Sequence, residues 1–207
     1  MIKDNKPKEV LLRGERETDF KDIYEISTMA FGGDSEAKLI NELRKTKSYI
    51  KGLSIVAVWE EKIIGHAMLT HAYVVNQGRR FNCLALGPMA VAPEYQRRGY
   101  GTKLVEEGIL RAKECGFKAI ILLGHTDFYP KFGFIPAAAK KIRSRFSNDD
   151  SFMVLELIPN ALKGISGLAE YAKEFRMLLK DEPVKKTENT TEPESGTAVD
   201  NTAGNPA

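Results

Sequence analysis

A short basic stretch with two glycines, Gln96-Arg-Arg-Gly-Tyr-Gly101, carries residue types that bind phosphate groups. The glycines allow left-handed backbone angles and close approach to a ligand, and the arginines add positive charge. The stretch follows an apolar run, Leu84 to Val91, and precedes apolar residues at helical spacing. The first N–H groups of a helix have no intrahelical partners and bind anions. The pattern therefore predicts a phosphate-bearing ligand at this turn.

Two other phosphate motifs fit this stretch poorly. A dinucleotide fingerprint needs a third glycine where Leu104 stands, and the P-loop pattern of Gly-x-x-x-x-Gly-Lys-Ser/Thr is absent from the chain. On residue types alone, a tight glycine turn without any ligand remains an alternative.

Apolar runs predict the sheet that positions this turn. Strand-like runs precede it at residues 9–13, 53–59 and 63–75, the last two joined by a polar turn, so we expect antiparallel strands in meander order. After the helix, residues 117–123 form a nearly continuous apolar run, which indicates a buried strand parallel to residues 84–91. The predicted fold class is α/β (α+β): a mixed, mostly antiparallel sheet with one parallel βαβ unit and flanking helices.

Two helices are predicted before the sheet, one capped by Asp19 and one beginning at Ser35. Residues 152–157 are predicted as the last strand. A terminal helix is then predicted from its apolar stripe: Leu168, Tyr171, Ala172, Phe175, Leu178 and Leu179. Residues 181–207 carry six acids, two bases and no apolar face. We expect one domain over residues 1–180 and an acidic, disordered tail over residues 181–207.

Composition limits the function classes. The net charge of +3 is distributed as +7 on residues 1–180 and −4 on the tail, and a basic body suits a phosphorylated ligand. Cys83 and Cys115 have no paired spacing, no His/Cys cluster has metal-ligand spacing, and no apolar run approaches the length of a membrane span. We expect a cytoplasmic protein, monomeric or homodimeric, without metal or membrane association. Nucleic acid is an unlikely partner because no recognition motif is present.

The motifs resemble those of a known family. Gln96-Arg-Arg-Gly-Tyr-Gly101 is similar to the Gln/Arg-x-x-Gly-x-Gly/Ala acetyl-coenzyme A (acetyl-CoA) signature of GNAT-superfamily N-acetyltransferases, and residues 129–134 (Tyr-Pro-Lys-Phe-Gly-Phe) resemble the family's Tyr-x-x-x-Gly-Phe segment. More narrowly, residues 86–91 and 124–136 resemble the YhbS-like branch of bacterial acetyltransferases. The resemblance covers about residues 9–180.

This resemblance implies a GNAT fold and acetyl-CoA as co-substrate. Backbone N–H groups from Arg97 to Thr102 would surround the pyrophosphate, and main-chain groups of Met89 and Val91 would bind the pantetheine arm where two parallel strands separate. The implied cofactor-binding residues are Met89, Ala90, Val91, Gln96, Arg97, Arg98, Gly99, Tyr100, Gly101, Thr102, Tyr129 and Phe132.

The resemblance also implies catalytic roles. Tyr129 would be the general acid that protonates the leaving thiolate, although a purely packing role remains possible. His125 is the best local candidate for a base or acceptor-site residue, with a structural role as its alternative. Glu36 and Glu42 are candidates for recognising a cationic substrate, or are simply solvated. Residues 140–145 carry a basic run that would meet a cofactor phosphate or lie in solvent.

Three function classes follow. The first is an N-acetyltransferase that moves the acetyl group of acetyl-CoA directly to a primary amine of a small molecule. The second is the same chemistry on a protein lysine or N-terminus, and the third is a non-catalytic acyl-CoA-binding module.

Overall fold

The computed structural model of the chain describes residues 9–147 and 149–179. Within these residues the α-helices are Phe20–Phe31 (α1), Ser35–Arg44 (α2) and Tyr100–Glu114 (α3). The strands are Leu11–Gly14 (β1), Tyr49–Trp59 (β2), Lys62–Asn76 (β3), Arg79–Val91 (β4), Ala119–Leu123 (β5), Ile135–Pro136 (β6), Ile142–Arg143 (β7), Phe152–Glu156 (β8) and Gly167–Glu170 (β9). Short 3-10 helices connect them, including Tyr129–Phe132 and Lys173–Leu178.

The strands form one mixed sheet in the order β1-β2-β3-β4-β5-β8-β6. Neighbouring pairs from β1 to β4 are antiparallel, whereas β4 and β5 are parallel and are joined across α3. The predicted meander and βαβ unit are therefore confirmed. A second parallel pairing, which joins the two residues of β7 to β9, was not predicted.

Two helical layers cover opposite faces of the sheet. Successive residues of β5 alternate between two apolar clusters: Ile121 packs in a cluster with α1 and α2, whereas Ile120 and Leu122 pack in a cluster with α3. This alternation follows from the two-residue period of a strand. Both faces of the central strands are buried, which explains why residues 117–123 are apolar at almost every position.

The parallel strands β4 and β5 pair over a short distance only. Their register is limited to Leu84 with Ile120 and Ala85 with Ile121, although both strands continue. Between Leu86 and Met89, β4 has one residue more than β3 opposite it, so the strand bulges at Gly87 and Pro88. Gly87 has a φ of +140°, an angle that glycine adopts readily. A gap consequently opens between the ends of β4 and β5.

The predicted terminal helix is wrong. Its residues form β9, which pairs with Tyr73–Val75, followed by the 3-10 helix Lys173–Leu178, so residues 152–157 are not the last strand either. The reason is long-range: β3 extends beyond the end of β2, and β9 satisfies backbone groups that β2 leaves unpaired. A side chain at Gly167 would overlap the Val75 carbonyl, so this pairing requires glycine there. The tail at residues 181–207 lies outside the described residues.

Asp19 precedes α1 as predicted, but its side chain does not cap that helix. It accepts hydrogen bonds from Arg13 Nη2 (2.9 Å) and from the Arg16 backbone N–H (2.7 Å) instead. The carboxylate therefore holds the connection between β1 and α1 together.

A buried polar cluster ties β1 to α2 and the sheet. Arg44 donates two hydrogen bonds to Glu15, at 3.0 and 2.7 Å, and the Tyr49 hydroxyl donates a third at 3.0 Å. His66 Nε2 lies 3.4 Å from Glu15 Oε2 and 2.8 Å from Ser54 Oγ. Burial opposes ionisation of Glu15, but His66 and Arg44 outweigh it and keep the Glu15 pKa below its usual value. Burial lowers the pKa of His66, so its neutral form is favoured.

In the described part of the chain, no helix is both long enough and apolar enough to cross a bilayer.

Candidate active site

A cavity of about 1060 Å³ passes through the gap between β4 and β5. We call its lining on the α3 face of the sheet the α3 side: Met89, Val91, Gln96, Arg97, Gly99, Gly101, Thr102, Phe128, Tyr129 and Lys131. The α2 side is the lining on the opposite face: Phe146, Tyr171, Phe175 and Leu178, which pack in the cluster with α1 and α2, together with Phe31 of α1 and Glu36 of α2. The cavity therefore connects the turn before α3 with the surface beside α2.

The turn before α3 presents backbone N–H groups to the α3 side. Gly99 precedes the helix with a φ of +86°, and the first hydrogen bond into the helix runs from Lys103 N to Gly99 O (3.1 Å). The N–H groups of residues 99–102 therefore have no intrahelical acceptors. Arg97 also has a left-handed φ, +59°, which the sequence did not reveal. The turn therefore leaves N–H groups free at a helix start, and anion binding there stays a prediction.

Lys131 adds a positive charge that the sequence analysis missed. Its Nζ donates a hydrogen bond to Thr102 Oγ1 (2.9 Å) and lies 4.1 Å from the centre of the Phe128 ring. No local pattern marked this lysine, because its contact with Thr102 joins segments 29 residues apart in sequence. In contrast, Arg98 does not line the cavity, and its guanidinium lies 5.7 Å from the Tyr95 ring centre.

Gln96 anchors the turn to the end of β4. Its Nε2 donates a hydrogen bond to the Val91 carbonyl (3.0 Å), one of the main-chain groups predicted to bind the pantetheine arm. Three other predicted cofactor residues do not line the cavity: Ala90, Tyr100 and Phe132. Ala90 is buried against α1, and Phe132 packs edge-on against Phe128.

The Tyr129 ring lies against Gly124, directly after β5. Tyr129 is 7% exposed, lines the cavity and packs edge-on against Phe128 and Phe134. A methyl group added to Gly124 would overlap this ring, so the glycine makes room for it. Burial raises the pKa of Tyr129 to about 12, which keeps the phenol neutral at physiological pH. Among the described residues, no side-chain hydrogen bond engages its hydroxyl.

His125 lines the cavity, but its side chain is exposed. Its backbone carbonyl accepts hydrogen bonds from the N–H groups of Phe128 (3.1 Å) and Tyr129 (3.3 Å), so its main chain organises the turn that carries Tyr129. Asp127 also lines the cavity. In the described residues, no group of three His, Cys, Asp or Glu side chains is arranged to hold a metal ion.

The two candidate carboxylates of α2 occupy different environments. Glu36 lines the cavity from the first turn of α2. Glu42 instead forms an exposed ion pair with Lys45 at 2.6 Å. The geometry therefore separates a cavity carboxylate from a surface one.

The remaining wall of the α2 side comes from the C-terminal segment, which the sequence did not assign to the site. Phe146, Tyr171 and Phe175 form an aromatic cluster, with ring centres 5.1 Å apart for Phe146 and Tyr171 and 5.2 Å for Tyr171 and Phe175. No motif marked these residues, because they reach the cavity only through the pairing of β9 with β3.

The chain is similar to known acetyltransferases along most of its length. The family model described as "Acetyltransferase (GNAT) family" matches residues 20–134. The uncharacterized N-acetyltransferase YhbS of Escherichia coli K12 is 33% identical over 167 residues, covering 80% of this chain and 98% of that protein. The uncharacterized N-acetyltransferase YjhQ of the same strain is 37% identical over 124 residues, covering 60% of this chain and 68% of that protein.

Solved structures agree with these relatives. The E. coli YhbS structure in complex with CoA superposes with a TM-score of 0.77 at 32% identity, covering 83% of this chain and 94% of that one. A GNAT-family acetyltransferase from Brucella melitensis in complex with acetyl-CoA gives 0.66 at 25% identity, covering 82% and 99%. By its sequence motifs, its sheet topology and these similarities, the chain belongs to the GNAT family of N-acetyltransferases.

Proposed function

We propose that this protein transfers the acetyl group of acetyl-CoA directly to a primary amine of a small molecule. In this reaction the amine nitrogen forms a bond to the acetyl carbonyl carbon, the C–S bond breaks, the nitrogen loses one proton, and the thiol of CoA is released. The observation that carries the proposal is the cavity itself, whose lining runs from the turn before α3, past Tyr129, to the α2 side.

The α3 side has the chemistry that acetyl-CoA requires. The N–H groups of residues 99–102, together with Lys131, would hold its pyrophosphate, since a helix start favours anions. Met89 and Val91 give the gap an apolar lining that suits the pantetheine arm. Two solved relatives bind CoA or acetyl-CoA, which supports the same ligand here.

The role of Tyr129 follows from its neutral phenol. Thiols are stronger acids than a phenol of pKa about 12 (the cysteine thiol has a pKa of about 8.5), so complete proton transfer from Tyr129 to a free thiolate is uphill. The favourable role is a hydrogen bond donated to sulfur while negative charge develops on it. Removing one such donor from an enclosed site costs about 10²–10³ in kcat.

The amine would enter from the α2 side, opposite the turn that holds the phosphates. Because the cavity lining comes from both faces of the sheet, acetyl-CoA and acceptor can be bound together, as direct transfer requires. A cavity walled by the C-terminal segment favours a small acceptor over a folded protein surface, which needs an open groove.

The first experiment measures acetyl-CoA binding by isothermal titration calorimetry and acetylated product by mass spectrometry with a panel of primary amines. Mass spectrometry is preferable to a thiol reagent because Cys115 is an exposed free thiol that would react. We expect binding of acetyl-CoA and turnover of at least one small amine.

Tyr129→Phe isolates the catalytic step. We expect its kcat to fall at least about 100-fold, with acetyl-CoA affinity within about twofold of the parent. Tyr73→Phe, whose ring stacks on Arg80 outside the cavity, is the matched control. Unchanged turnover in Tyr129→Phe would remove Tyr129 from the mechanism, and absence of acetyl-CoA binding would remove the proposed function.

A further inference from the structure

The α2 side is strongly apolar. Phe31, Phe146, Tyr171, Phe175 and Leu178 line it, and Leu179 adds a further apolar side chain at the edge. Phe175 is 9% exposed, whereas Phe31 remains 44% exposed at the end of α1 although its ring borders the cavity. Apolar surface left open around a cavity is typical of a binding site for an apolar group.

The aromatic cluster gives this surface a fixed shape. Phe146 meets Tyr171 edge-on, and Tyr171 packs on Phe175, whose ring is anchored in the apolar cluster with α2. Such edge-to-face pairs hold their rings in place. The wall therefore offers flat aromatic surface and few hydrogen-bonding groups.

Glu36 is the one charged side chain of the α2 side among the described residues. It forms no ion pair or hydrogen bond with any other described residue, in contrast to Glu42 on the same helix, which pairs with Lys45. An unpaired carboxylate at the rim of an apolar cavity attracts a cation and repels an anion. No described arginine or lysine belongs to the α2 side to receive a carboxylate or phosphate of a substrate, and His125, an exposed cavity residue that follows β5, is not part of it as defined.

We infer that the acceptor is a hydrophobic primary amine, with an aromatic or bulky aliphatic body and no carboxylate or phosphate group. The inference rests on the proposed function, because it assigns the acceptor of the same acetyl transfer. The apolar body packs against Phe31 and the aromatic cluster, and the ammonium form of the amine is drawn to Glu36 and gives one proton to solvent. The neutral amine then attacks the acetyl carbon, the C–S bond breaks, and the second proton of the nitrogen balances the thiolate to give the thiol of CoA.

Three pairs of probes test this assignment. Comparing 2-phenylethylamine with ethylamine removes the ring, comparing it with L-phenylalanine adds a carboxylate, and comparing it with 1,4-diaminobutane replaces the ring by a second cation. We expect kcat/KM for 2-phenylethylamine to exceed each of the others at least tenfold, because one apolar group alone discriminates about 10–200-fold. An acetyl-acceptor lysine peptide is included as a fourth comparison.

Two variants connect the preference to the named residues. Glu36→Gln should raise KM for 2-phenylethylamine and lower the ratio of kcat/KM for 2-phenylethylamine to that for L-phenylalanine at least threefold. Glu42→Gln should leave this KM and this ratio unchanged. Phe31→Ala narrows the advantage over ethylamine, and since this ring is exposed, the variant keeps its fold. Acetyl-CoA affinity stays within about twofold of the parent in all three, because these residues lie on the other face of the sheet from the turn.

The outcomes separate the inference from the proposed function. If acetyl-CoA binds and the enzyme prefers L-phenylalanine, 1,4-diaminobutane or the peptide, or acetylates none of the probes, the acceptor assignment is overturned while acetyl-CoA binding stands. If Glu36→Gln leaves the preference for 2-phenylethylamine over L-phenylalanine unchanged, the role of the carboxylate is overturned. If acetyl-CoA does not bind, the proposed function fails and the acceptor assignment fails with it.

Discussion

Replacing Gly124 by alanine moves the candidate catalytic phenol without removing it. The Cβ atom of an alanine would lie 2.7 Å from Tyr129 Cδ2 and closer still to Cε2. Carbon atoms pack at about 3.5–4.0 Å, so the ring must withdraw by roughly 1 Å. Gly124 directly follows β5, and the turn after it is held by hydrogen bonds from the Phe128 and Tyr129 N–H groups to the His125 carbonyl. We therefore expect the Tyr129 ring, and not the backbone, to move.

The size of the effect follows from this displacement. A misplacement of about 1 Å at a reacting group can cost roughly 100-fold in rate. Overpacking a buried site destabilises a protein by about 1–3 kcal/mol, so Gly124→Ala remains folded at room temperature if the parent has ordinary stability. We expect kcat to fall about 100-fold in Gly124→Ala with acetyl-CoA affinity little changed, because the turn before α3 is untouched.

The assay compares four proteins by initial rates and by urea denaturation: Gly124→Ala, Tyr129→Phe, the double variant and Gly33→Ala. Gly33 has open space around its Cα and no left-handed φ, so its alanine variant controls for the glycine substitution itself. Since both active-site changes act on one hydroxyl, the double variant should lose no more kcat than Tyr129→Phe alone. Additive losses, or Gly124→Ala with near-parent turnover, would refute the reasoning.

Three further predictions concern the turn, the pH profile and stability. Gly99→Ala should weaken acetyl-CoA binding about tenfold by calorimetry, because a left-handed backbone angle costs alanine about 1–2 kcal/mol. Gly101→Ala should change the affinity less than threefold, since Gly101 has no left-handed φ, and equal effects of the two variants would contradict this prediction. Between pH 8 and 10, kcat should show no loss from ionisation of Tyr129, because its raised pKa of about 12 keeps the phenol neutral. A decline of kcat over this pH range that Tyr129→Phe abolishes would count against this prediction. The free energy of unfolding should fall from pH 7 to pH 5, with a slope of at most ~1.4 kcal/mol per pH unit, because burial lowers the His66 pKa in the folded state and the unfolded chain therefore takes up that proton first. It should fall further below pH ~4.5, because the Glu15 pKa is lowered in the folded state and the unfolded chain protonates this carboxylate first. His66→Gln should flatten the first decline in urea titrations.

The parts of the site that sequence predicted are those set by local patterns. The apolar run at residues 117–123 reflects a strand covered on both faces, and the glycines of residues 96–101 reflect a turn that one of them, Gly99, enters with a left-handed φ. Both features produce a recognisable pattern of residue types within a few neighbouring positions. The βαβ unit and the glycine turn before α3 could therefore be predicted without coordinates.

The α2 side of the cavity could not be predicted, because strands that are far apart in sequence create it. The stripe Leu168 to Leu179 fits a helix, yet Gly167–Glu170 pairs with residues 73–75, far away in sequence. This pairing brings Tyr171 and Phe175 to the cavity. Lys131 was missed for the same reason, since its contact with Thr102 joins two segments through the fold.

A crystal structure of the protein with acetyl-CoA tests the central claim most directly. The account predicts the pyrophosphate on the N–H groups of residues 99–102, the pantetheine arm between the separated ends of β4 and β5, and the thioester sulfur within hydrogen-bonding reach of the Tyr129 hydroxyl. Acetyl-CoA bound outside this gap, or a thioester with the Tyr129 hydroxyl turned away from its sulfur, would contradict it.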